Sequence, residues 1–364
     1  MKTFQKSNLC IFLFCLLGTI ILQSSKCKSD PVDPVVPAPV ANFTASTSTI
    51  MIGESITFTD ISTGNSALRQ WEIPGGTPNS SIASTVTAKF TAEGNYTVKL
   101  SVSNTSGSST KTLLVSVKPI TFVHTVTASN KALYTTVIDN PATNGNPNAI
   151  LIISCNYGTT TPYHNKPIAA FYNSANGGQW SIANEDISLM PIGVKFNVLV
   201  KNPSDKAFVA IPSKVEWSSA ILNHPNLNGN PNAKFLITNR VDNSGVFNNS
   251  TLFTWYDGSQ WRINNSNISN MPTTIRFNIL IDDKIFPVQT TTNARNDFEI
   301  VHAPTDGKPN ALLFGTHTQS PTGVGNVSQI GFYFNANANR WFVFNQSLVS
   351  MARDCRFMVW SNQE

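Results

Sequence analysis

One tyrosine, one tryptophan and one asparagine recur in each of three similar segments, and they are the residues best suited to bind a ligand. Aromatic rings stack on sugar rings, and asparagine amides both donate and accept hydrogen bonds, so the set suits carbohydrate. The alternative is that the rings form the core of each segment, because repeats preserve what every copy needs to fold. The candidates are Tyr172, Trp180, Asn184, Tyr256, Trp261, Asn265, Tyr333, Trp341 and Asn345.

The histidines and acidic residues form no catalytic or metal-binding pattern. His224 and His302 stand where the first copy has Asn140, and exchange of His with Asn favours a polar turn residue over a metal ligand. Glu185 and Asp186 are adjacent, but the second copy has Ser and Asn at these positions, which argues against a glycosidase carboxylate pair. The sequence has no calcium loop, phosphate loop or zinc spacing. We therefore expect no catalytic residue, metal or cofactor.

A recurring turn phrase counts the segments. Asn144–Ala149 returns as Asn228–Ala233 and, altered, as Asp306–Ala311. Asn-Gly accepts positive φ and proline fixes the next corner, so each phrase predicts a turn. Each is followed by a buried strand, a second strand, a tryptophan strand, a methionine phrase and a closing strand. The sequence thus predicts three β repeats of about six strands each, at 120–202, 203–283 and 284–364. Separate beads and strand sharing around a pseudo-threefold core both fit.

These phrases resemble a repeat of uncharacterised extracellular bacterial proteins. The resemblance lies in the Asn-Pro-Asn-Ala turn, the Trp-x-Ile-x-Asn strand and the Met-Pro-x-x-x-x-Phe-Asn close, and it implies no established activity. The third copy departs from the pattern at Lys308, Ala352 and Met358. A ligand role is therefore not expected at those three positions.

Residues 40–119 contain short alternating strands separated by turn residues, which predicts a β-sandwich. The phrases Gly53–Thr63, Trp71–Pro78 and Gly94–Gly107, in this order, resemble the PKD domain, an immunoglobulin-like module of extracellular proteins. The resemblance implies that Trp71 and Tyr96 are core residues and that Gly75-Gly76 forms a tight turn. It also implies a spacer or interaction module without enzymatic activity.

The N-terminus predicts export. Lys2 and Lys6 precede the apolar run Leu9–Leu22, which is too short for a membrane span. Cys27 then follows small residues, which resembles the lipidation site of bacterial lipoproteins; cleavage of a plain secretory signal is the alternative. We predict a signal peptide at 1–26, lipidation at Cys27 and a proline-rich linker at 27–39. Lys28-Ser29-Asp30 resembles the surface-export tags of Bacteroidota lipoproteins, which favours an outer-membrane protein exposed at the surface.

Composition agrees with a secreted β protein. Charged residues make up only 12% of the chain, so its surface must be polar but largely uncharged. No dense cluster of Lys and Arg exists, so nucleic acid is not an expected partner. Cys155 and Cys355 lie at different positions of the first and third repeats. Two buried apolar thiols are the favoured interpretation, and a disulfide or a reactive thiol is the alternative.

The sequence therefore predicts an all-β cell-surface protein, an immunoglobulin-like β-sandwich followed by three tandem β-rich modules of about 80 residues. Its expected function is non-catalytic binding or adhesion, with a glycan or an extracellular protein as partner and the membrane contacted through the lipid. Multivalent repetition supports this function because it raises weak affinities. A structural stalk without a soluble ligand is the first alternative, and a polysaccharide-acting enzyme is the second.

Overall fold

The computed structural model describes residues 36–157, 162–174, 177–241, 245–291, 295–319 and 326–363. The predicted signal peptide, Cys27 and most of the linker lie outside these residues. The described chain is built from β-strands, bridges and turns, which confirms the predicted all-β class. Within these ranges, no helix has the length and apolar character needed to cross a bilayer.

The N-terminal domain is a two-sheet sandwich. One sheet has the order β1-β3-β7-β5 and the other has the order β2-β9-β8-β4-β6. Trp71 is fully buried between the sheets, and its indole N–H donates to the Ala83 carbonyl. The strands are β1 (Phe43–Ala45), β2 (Thr49–Met51), β3 (Ser55–Asp60), β4 (Leu68–Glu72), β5 (Gly76–Thr77), β6 (Ser80–Ser81), β7 (Thr85–Phe90), β8 (Gly94–Asn104) and β9 (Gly107–Lys118).

The expected turn at Gly75 is confirmed in this domain. Gly75 has a φ of 73°, and a Cβ placed on it would lie 2.2 Å from Cε1 of Tyr96. Tyr96 packs against Phe90 at the edge of the core, with ring centroids 5.6 Å apart. Only glycine allows the turn to approach the tyrosine ring so closely.

Each repeat consists of an inner half-sheet of three strands and an outer half-sheet. In the first repeat β10, β16 and β13 are inner, and β11, β12, β15 and β14 are outer. The strands are β10 (Ile120–Thr125), β11 (Lys131–Ala132), β12 (Thr135–Ile138), β13 (Ile150–Asn156), β14 (Ile168–Asn173), β15 (Gln179–Asn184) and β16 (Lys195–Lys201).

The second repeat reproduces this order, with β17, β20 and β23 inner and β18, β19, β21 and β22 outer. Its strands are β17 (Ala207–Ala210), β18 (Lys214–Glu216), β19 (Ser219–Ile221), β20 (Phe235–Val241), β21 (Leu252–Tyr256), β22 (Trp261–Asn265) and β23 (Arg276–Ile281).

In the third repeat β24, β26 and β29 are inner, and β25, β27 and β28 are outer. These strands are β24 (Phe286–Gln289), β25 (Asp297–Glu299), β26 (Leu313–Thr318), β27 (Ile330–Asn335), β28 (Arg340–Asn345) and β29 (Arg356–Ser361).

The repeats share sheets in a closed ring. The outer half-sheet of the first repeat joins the inner half-sheet of the second through the parallel pair β14 and β20. In the same way β21 of the second repeat joins β26 of the third, and β27 of the third joins β13 of the first. Of the two organisations that the sequence allows, the structure has strand sharing around a pseudo-threefold axis.

The inner strands are buried on both faces. In β13, Leu151 and Ile153 point into the core of their own repeat, whereas Ile150 and Ile152 point into a core on the axis. Burial on both faces explains why these strands are continuous apolar runs rather than alternating ones. The axial core takes residues from all three repeats, among them Ile150, Ile152, Leu199, Leu236, Leu280, Phe314 and Trp360.

Polar side chains link the inner strands around the axis. Ser154, Thr238 and Thr316 occupy equivalent positions, and each hydroxyl accepts a backbone N–H from a neighbouring repeat. The three bonds run from Ile153 to Thr238 (2.9 Å), from Ile237 to Thr316 (2.9 Å) and from Gly315 to Ser154 (3.0 Å).

The two ends of the axis differ. Strands β16, β23 and β29 end near the PKD-like sandwich, where a cleft of about 600 Å³ separates the two bodies. Lys201, at the end of β16, pairs with Glu93 of the sandwich. We call this the proximal end. The opposite end, where β13, β20 and β26 finish, is the distal end.

Candidate functional site

The three recurring tryptophans are core residues. Trp180, Trp261 and Trp341 are almost fully buried. Each indole N–H donates to the carbonyl of the third residue of the turn phrase: Asn146 (2.9 Å), Asn230 (2.8 Å) and Lys308 (2.9 Å). The turn phrase and the tryptophan strand are therefore one structural unit. The tryptophan uses only the backbone carbonyl of the third residue, so its bond survives the change to lysine in the third repeat. The Asn146 and Asn230 side chains also accept an N–H from the residue two positions later, and lysine cannot make that bond.

The tyrosines require one correction. Tyr172 and Tyr256 pack against the tryptophans of their repeats, with centroids 5.3 Å and 5.6 Å apart. In the third repeat Phe334 holds this place, at 5.7 Å from Trp341. Tyr333 is therefore not the counterpart of the other two tyrosines, and the prediction that groups the three is wrong by one residue in this strand.

A shift of one residue in a strand moves a side chain to the other face of the sheet. Tyr333 accordingly stacks on Phe342 at 5.3 Å, and its hydroxyl donates to Oδ2 of Asp297 at 2.6 Å. Burial is the main reason why its pKa is raised.

The recurring asparagines brace a turn. Asn184, Asn265 and Asn345 are buried, and each side-chain amide donates to a backbone carbonyl four residues later. Asn265 also exchanges two amide bonds with Asn248, at 2.8 Å and 2.9 Å. The structure thus places the candidate asparagines behind a turn, without a face toward solvent.

The turn histidines behave as their exchange with Asn140 predicts. The backbone N–H groups of Asn140 and His224 each donate to the side chain four residues later, both at 3.2 Å. The rings of His224 and His302 stack on Phe208 and Phe286, with centroids 3.9 Å and 3.6 Å apart. Burial lowers the pKa of His224.

Glu185 and Asp186 do not form a catalytic pair. The Asp186 carboxylate faces outward and pairs with Lys166, whereas Glu185 is buried beside Asn239 and Asn248. Burial raises the pKa of Glu185 well above 4.5. Within the described parts of the chain, no group of three or more His, Cys, Asp and Glu side chains could hold a metal.

The two cysteines are free and buried, so the disulfide alternative is wrong. Cys355 lies in the third repeat's core at the position that Val194 and Ile275 occupy in the other cores. Burial raises the pKa of Cys155 to about 12, which keeps its thiol protonated and unreactive.

The sequence-based predictions do not include a set of exposed apolar turn residues that the structure shows. Five of them have a positive φ, between 51° and 60°, although none is glycine. Their exposed fractions lie between 50% and 86%, with Trp217 the highest. We call these residues the apolar tips: Leu133 and Ile187 in the first repeat, Trp217 and Ile268 in the second, and Leu348 in the third.

The tip residues lie in two kinds of turn, and each kind recurs at equivalent positions in different repeats. Leu133 and Trp217 are the first residues of two-residue hairpin loops, joining β11 to β12 and β18 to β19. A loop with positive φ only at its first residue favours glycine there. Ile187, Ile268 and Leu348 lie three residues after the bracing asparagines, and each backbone N–H donates to that asparagine's carbonyl.

The left-handed conformation costs an ordinary residue about 1–2 kcal/mol, and β-branched isoleucine tolerates it poorly. A hydrophobicity pattern cannot distinguish an isolated exposed Leu or Ile from a core residue. The detectable signal in the sequence was a tryptophan between Glu216 and Ser218, at the centre of a short hairpin.

The apolar tips lie at the distal end. The turn at Ile187 leads to the start of β16 at Lys195, and that strand ends at Lys201 beside the N-terminal sandwich. Seven strand residues span about 20 Å, so the tips and the sandwich are at opposite ends of the repeat assembly. The Met190 N–H donates to the Leu133 carbonyl at 2.9 Å, which ties the two turns of the first repeat together.

The architecture defines a class: an all-β protein in which an immunoglobulin-like sandwich precedes three strand-sharing repeats. Residues 41–117 match the PKD domain, which confirms the resemblance proposed for 40–119. Three further segments, 105–200, 169–281 and 282–361, match the family described as "Domain of unknown function (DUF7452)". These segments cover more than half of the chain, so the chain belongs to that family. A PKD domain beside such repeats is consistent with a non-catalytic binding or adhesion role.

Two of the similar solved structures are PKD domains. The PKD1 domain of Vibrio anguillarum Epp is 27% identical, covers 22% of this chain and 93% of its own, and has a TM-score of 0.19. The PKD1 domain of the Vibrio cholerae metalloprotease PrtV is 26% identical, covers 22% and 96%, and also has a TM-score of 0.19. A structure titled for carbohydrate-binding modules of the β-sandwich superfamily is 16% identical, covers 68% and 92%, and has a TM-score of 0.22. No curated protein matches the chain.

Proposed function

We propose that this protein is a non-catalytic binding or adhesion protein of the cell surface, and that its three repeats together present the binding face. The single observation that carries the proposal is the set of apolar tips. Five bulky residues are exposed and held in a backbone conformation that favours glycine. Neither feature stabilises the fold, and strained residues that persist cluster at ligand-binding sites.

The direction of the chain supports the same proposal. We propose that a lipid on Cys27 anchors the protein to the outer membrane and that the sandwich lifts the repeats from the surface. The tips, at the distal end, then point away from the membrane. Such a face meets an extracellular partner first.

We further propose that the partner is an extracellular polymer, with a glycan as the leading candidate. The Trp217 ring, 86% exposed, offers a face for stacking on a sugar. When the apolar tips of all three repeats engage one repetitive polymer, they gain affinity through effective concentration, even though each contact is weak.

The test replaces all five tip residues by glycine. Glycine removes the backbone strain, so the variant is expected to fold at least as well as the wild type. Binding is measured on a glycan array and on insoluble polysaccharides, and adhesion is measured on cells that display the protein. We expect the wild type to bind and the glycine variant to lose at least about tenfold in affinity.

Ile82→Ser is the matched control, because Ile82 is an exposed apolar residue of the sandwich outside the tips. It should bind like the wild type. Equal binding by the glycine variant, or no binding and no adhesion by the wild type, would contradict the proposal.

A further inference from the structure

A small polar cavity lies at the distal end of the pseudo-threefold axis, separate from the apolar tips. Its volume is about 70 Å³, and all three repeats line it. At roughly 10–15 Å³ for each water, it has room for a few waters and is too small for a sugar ring. Oxygen-bearing side chains surround it, including Glu185, Thr238, Asn239 and Thr316.

The Glu185 carboxylate is buried in this cavity without a positive partner. Both of its hydrogen bonds within the described chain, from Asn239 Nδ2 and from the Asn248 N–H, reach the same oxygen, Oε1. No lysine or arginine lines the cavity, and none of the ion pairs among the described residues includes Glu185. Burying a carboxylate is unfavourable unless something positive compensates it.

A second oxygen nearby also has no partner. Asn239 is 3% exposed, and its Oδ1 makes no hydrogen bond within the described residues. The Asn239 amide N–H donates to Oε1 of Glu185, and this bond orients the amide so that Oδ1 is not the atom facing Oε1. Each free oxygen can therefore act as an acceptor.

The hydroxyls of Thr238 and Thr316 also line the cavity, on its axial side. Each already accepts a backbone N–H at 2.9 Å, so each keeps a lone pair. His317, the imidazole in the lining, accepts the Asn326 N–H through Nε2 and carries no charge near neutral pH. The cavity thus combines one carboxylate, one amide oxygen and hydroxyls, with no competing cation.

We propose that this cavity binds a hard metal cation, Ca²⁺, through Glu185 and Asn239. Ca²⁺ takes six to eight oxygen ligands, drawn from carboxylates, amide carbonyls and waters, in a flexible geometry. Waters complete the shell. A single carboxylate predicts a dissociation constant of about 1 mM, in the range of extracellular modules.

The experiment measures the thermal midpoint of the full chain after chelation and then in about 10 mM CaCl₂, with MgCl₂ and NaCl at equal ionic strength as comparisons. We expect Ca²⁺ to raise the midpoint of the repeats by about 3–5 °C, and Mg²⁺ and Na⁺ to raise it less. Glu185→Gln keeps the size of the side chain and one oxygen that can accept both hydrogen bonds, but it removes the charge, so it should abolish the shift.

Two further variants complete the test. Asp186→Asn removes the neighbouring acid, which faces outward to Lys166, and it should keep the full shift. Asn239→Asp adds a second carboxylate and should tighten Ca²⁺ binding about tenfold, as measured by calorimetry. No Ca²⁺ shift in the wild type, or an unchanged shift in Glu185→Gln, overturns the proposal.

Discussion

The PKD-like sandwich and the repeat assembly complete their sheets and cores in opposite ways. The sandwich closes its core between two sheets of its own, around Trp71. Each repeat also has its own core, but it completes its sheets only by pairing with both neighbours. A destabilising mutation in the sandwich should therefore affect the sandwich alone, whereas one in a single repeat should lower the stability of all three repeats.

The largest expected contrast comes from removing a central tryptophan. Trp→Ala in a core costs about 3–5 kcal/mol. We expect Trp71→Ala to destabilise the sandwich alone, whereas Trp261→Ala should destabilise all three repeats, because their sheets are shared. Hydrogen exchange with mass spectrometry resolves the segments. If Trp261→Ala lost protection only within 203–283, the repeats would be independent of one another and the prediction would be wrong.

A smaller effect is expected at the links between repeats. Asn197 and Asn278 donate from their side chains to the carbonyls of Leu313 and Leu151 in neighbouring repeats, at 2.9 Å and 3.0 Å. The third repeat has Met358 at this position, where it packs beside the axial core. Asn278→Met should lower the free energy of unfolding by about 1–3 kcal/mol, because the buried carbonyl loses its donor.

Met358→Leu is the matched control for this link, since it exchanges one apolar side chain for another and should cost less than about 1.5 kcal/mol. Chemical denaturation measures both variants. Equal stability of Asn278→Met and the wild type would mean that the link is dispensable.

The stability of the two regions should also depend differently on pH in the acid range. Burial is the main reason why the pKa values of His124 and His164 fall to about 4 and that of His317 to about 3. The unfolded repeats therefore bind more protons between pH 6.5 and 4, and their stability is lost as the pH falls through this window. Each histidine contributes up to about 1.4 kcal/mol per pH unit. Glu185, whose pKa is raised, acts in the opposite direction and offsets part of the effect.

The sandwich, residues 40–119, contains no histidine and should keep its stability across the same window. Segment-resolved hydrogen exchange at pH 7 and pH 5 makes the comparison. A parallel loss in both regions would show that the buried histidines are not the cause.

The smallest expected effect concerns backbone strain. Ile268→Gly at an apolar tip should stabilise the repeats by about 0.5–1 kcal/mol, since relief of the left-handed strain exceeds the entropic cost of glycine. Asn65 has a similar φ of 55° in the sandwich, but asparagine tolerates this region, so Asn65→Gly should change little. A loss of stability in Ile268→Gly would show that the isoleucine packs usefully.

The local parts of this contrast could be predicted from the sequence. Alternating strands and three ordered phrases identified the sandwich, and the Asn-Gly turn phrases counted the repeats. The pairing of β14 with β20 left no local signal, because both strands read as buried whichever neighbour they pair with. In β27, aromatic residues at three successive positions, Phe332, Tyr333 and Phe334, fit either face, which explains the register error.

The candidate site was harder to predict for a different reason. The recurring tryptophans and asparagines suit a ligand chemically, but the structure uses their polar atoms to hold turns. The apolar tips recur in position, but only Ile187 and Ile268 recur in residue type, since Leu133 corresponds to Trp217 and the third repeat has Leu348. Their shared exposure and left-handed backbone appear only in the structure.

Deletion of residues 284–364 tests the central claim, that the repeats form one closed body, most directly. The deletion removes the partners of β13 and β21, namely β27 and β26. In a chain of residues 36–283, we predict a fully protected sandwich and a loss of hydrogen-exchange protection throughout 120–283. Protection of the first two repeats equal to that in the whole protein would contradict the account and would show that the repeats are independent beads.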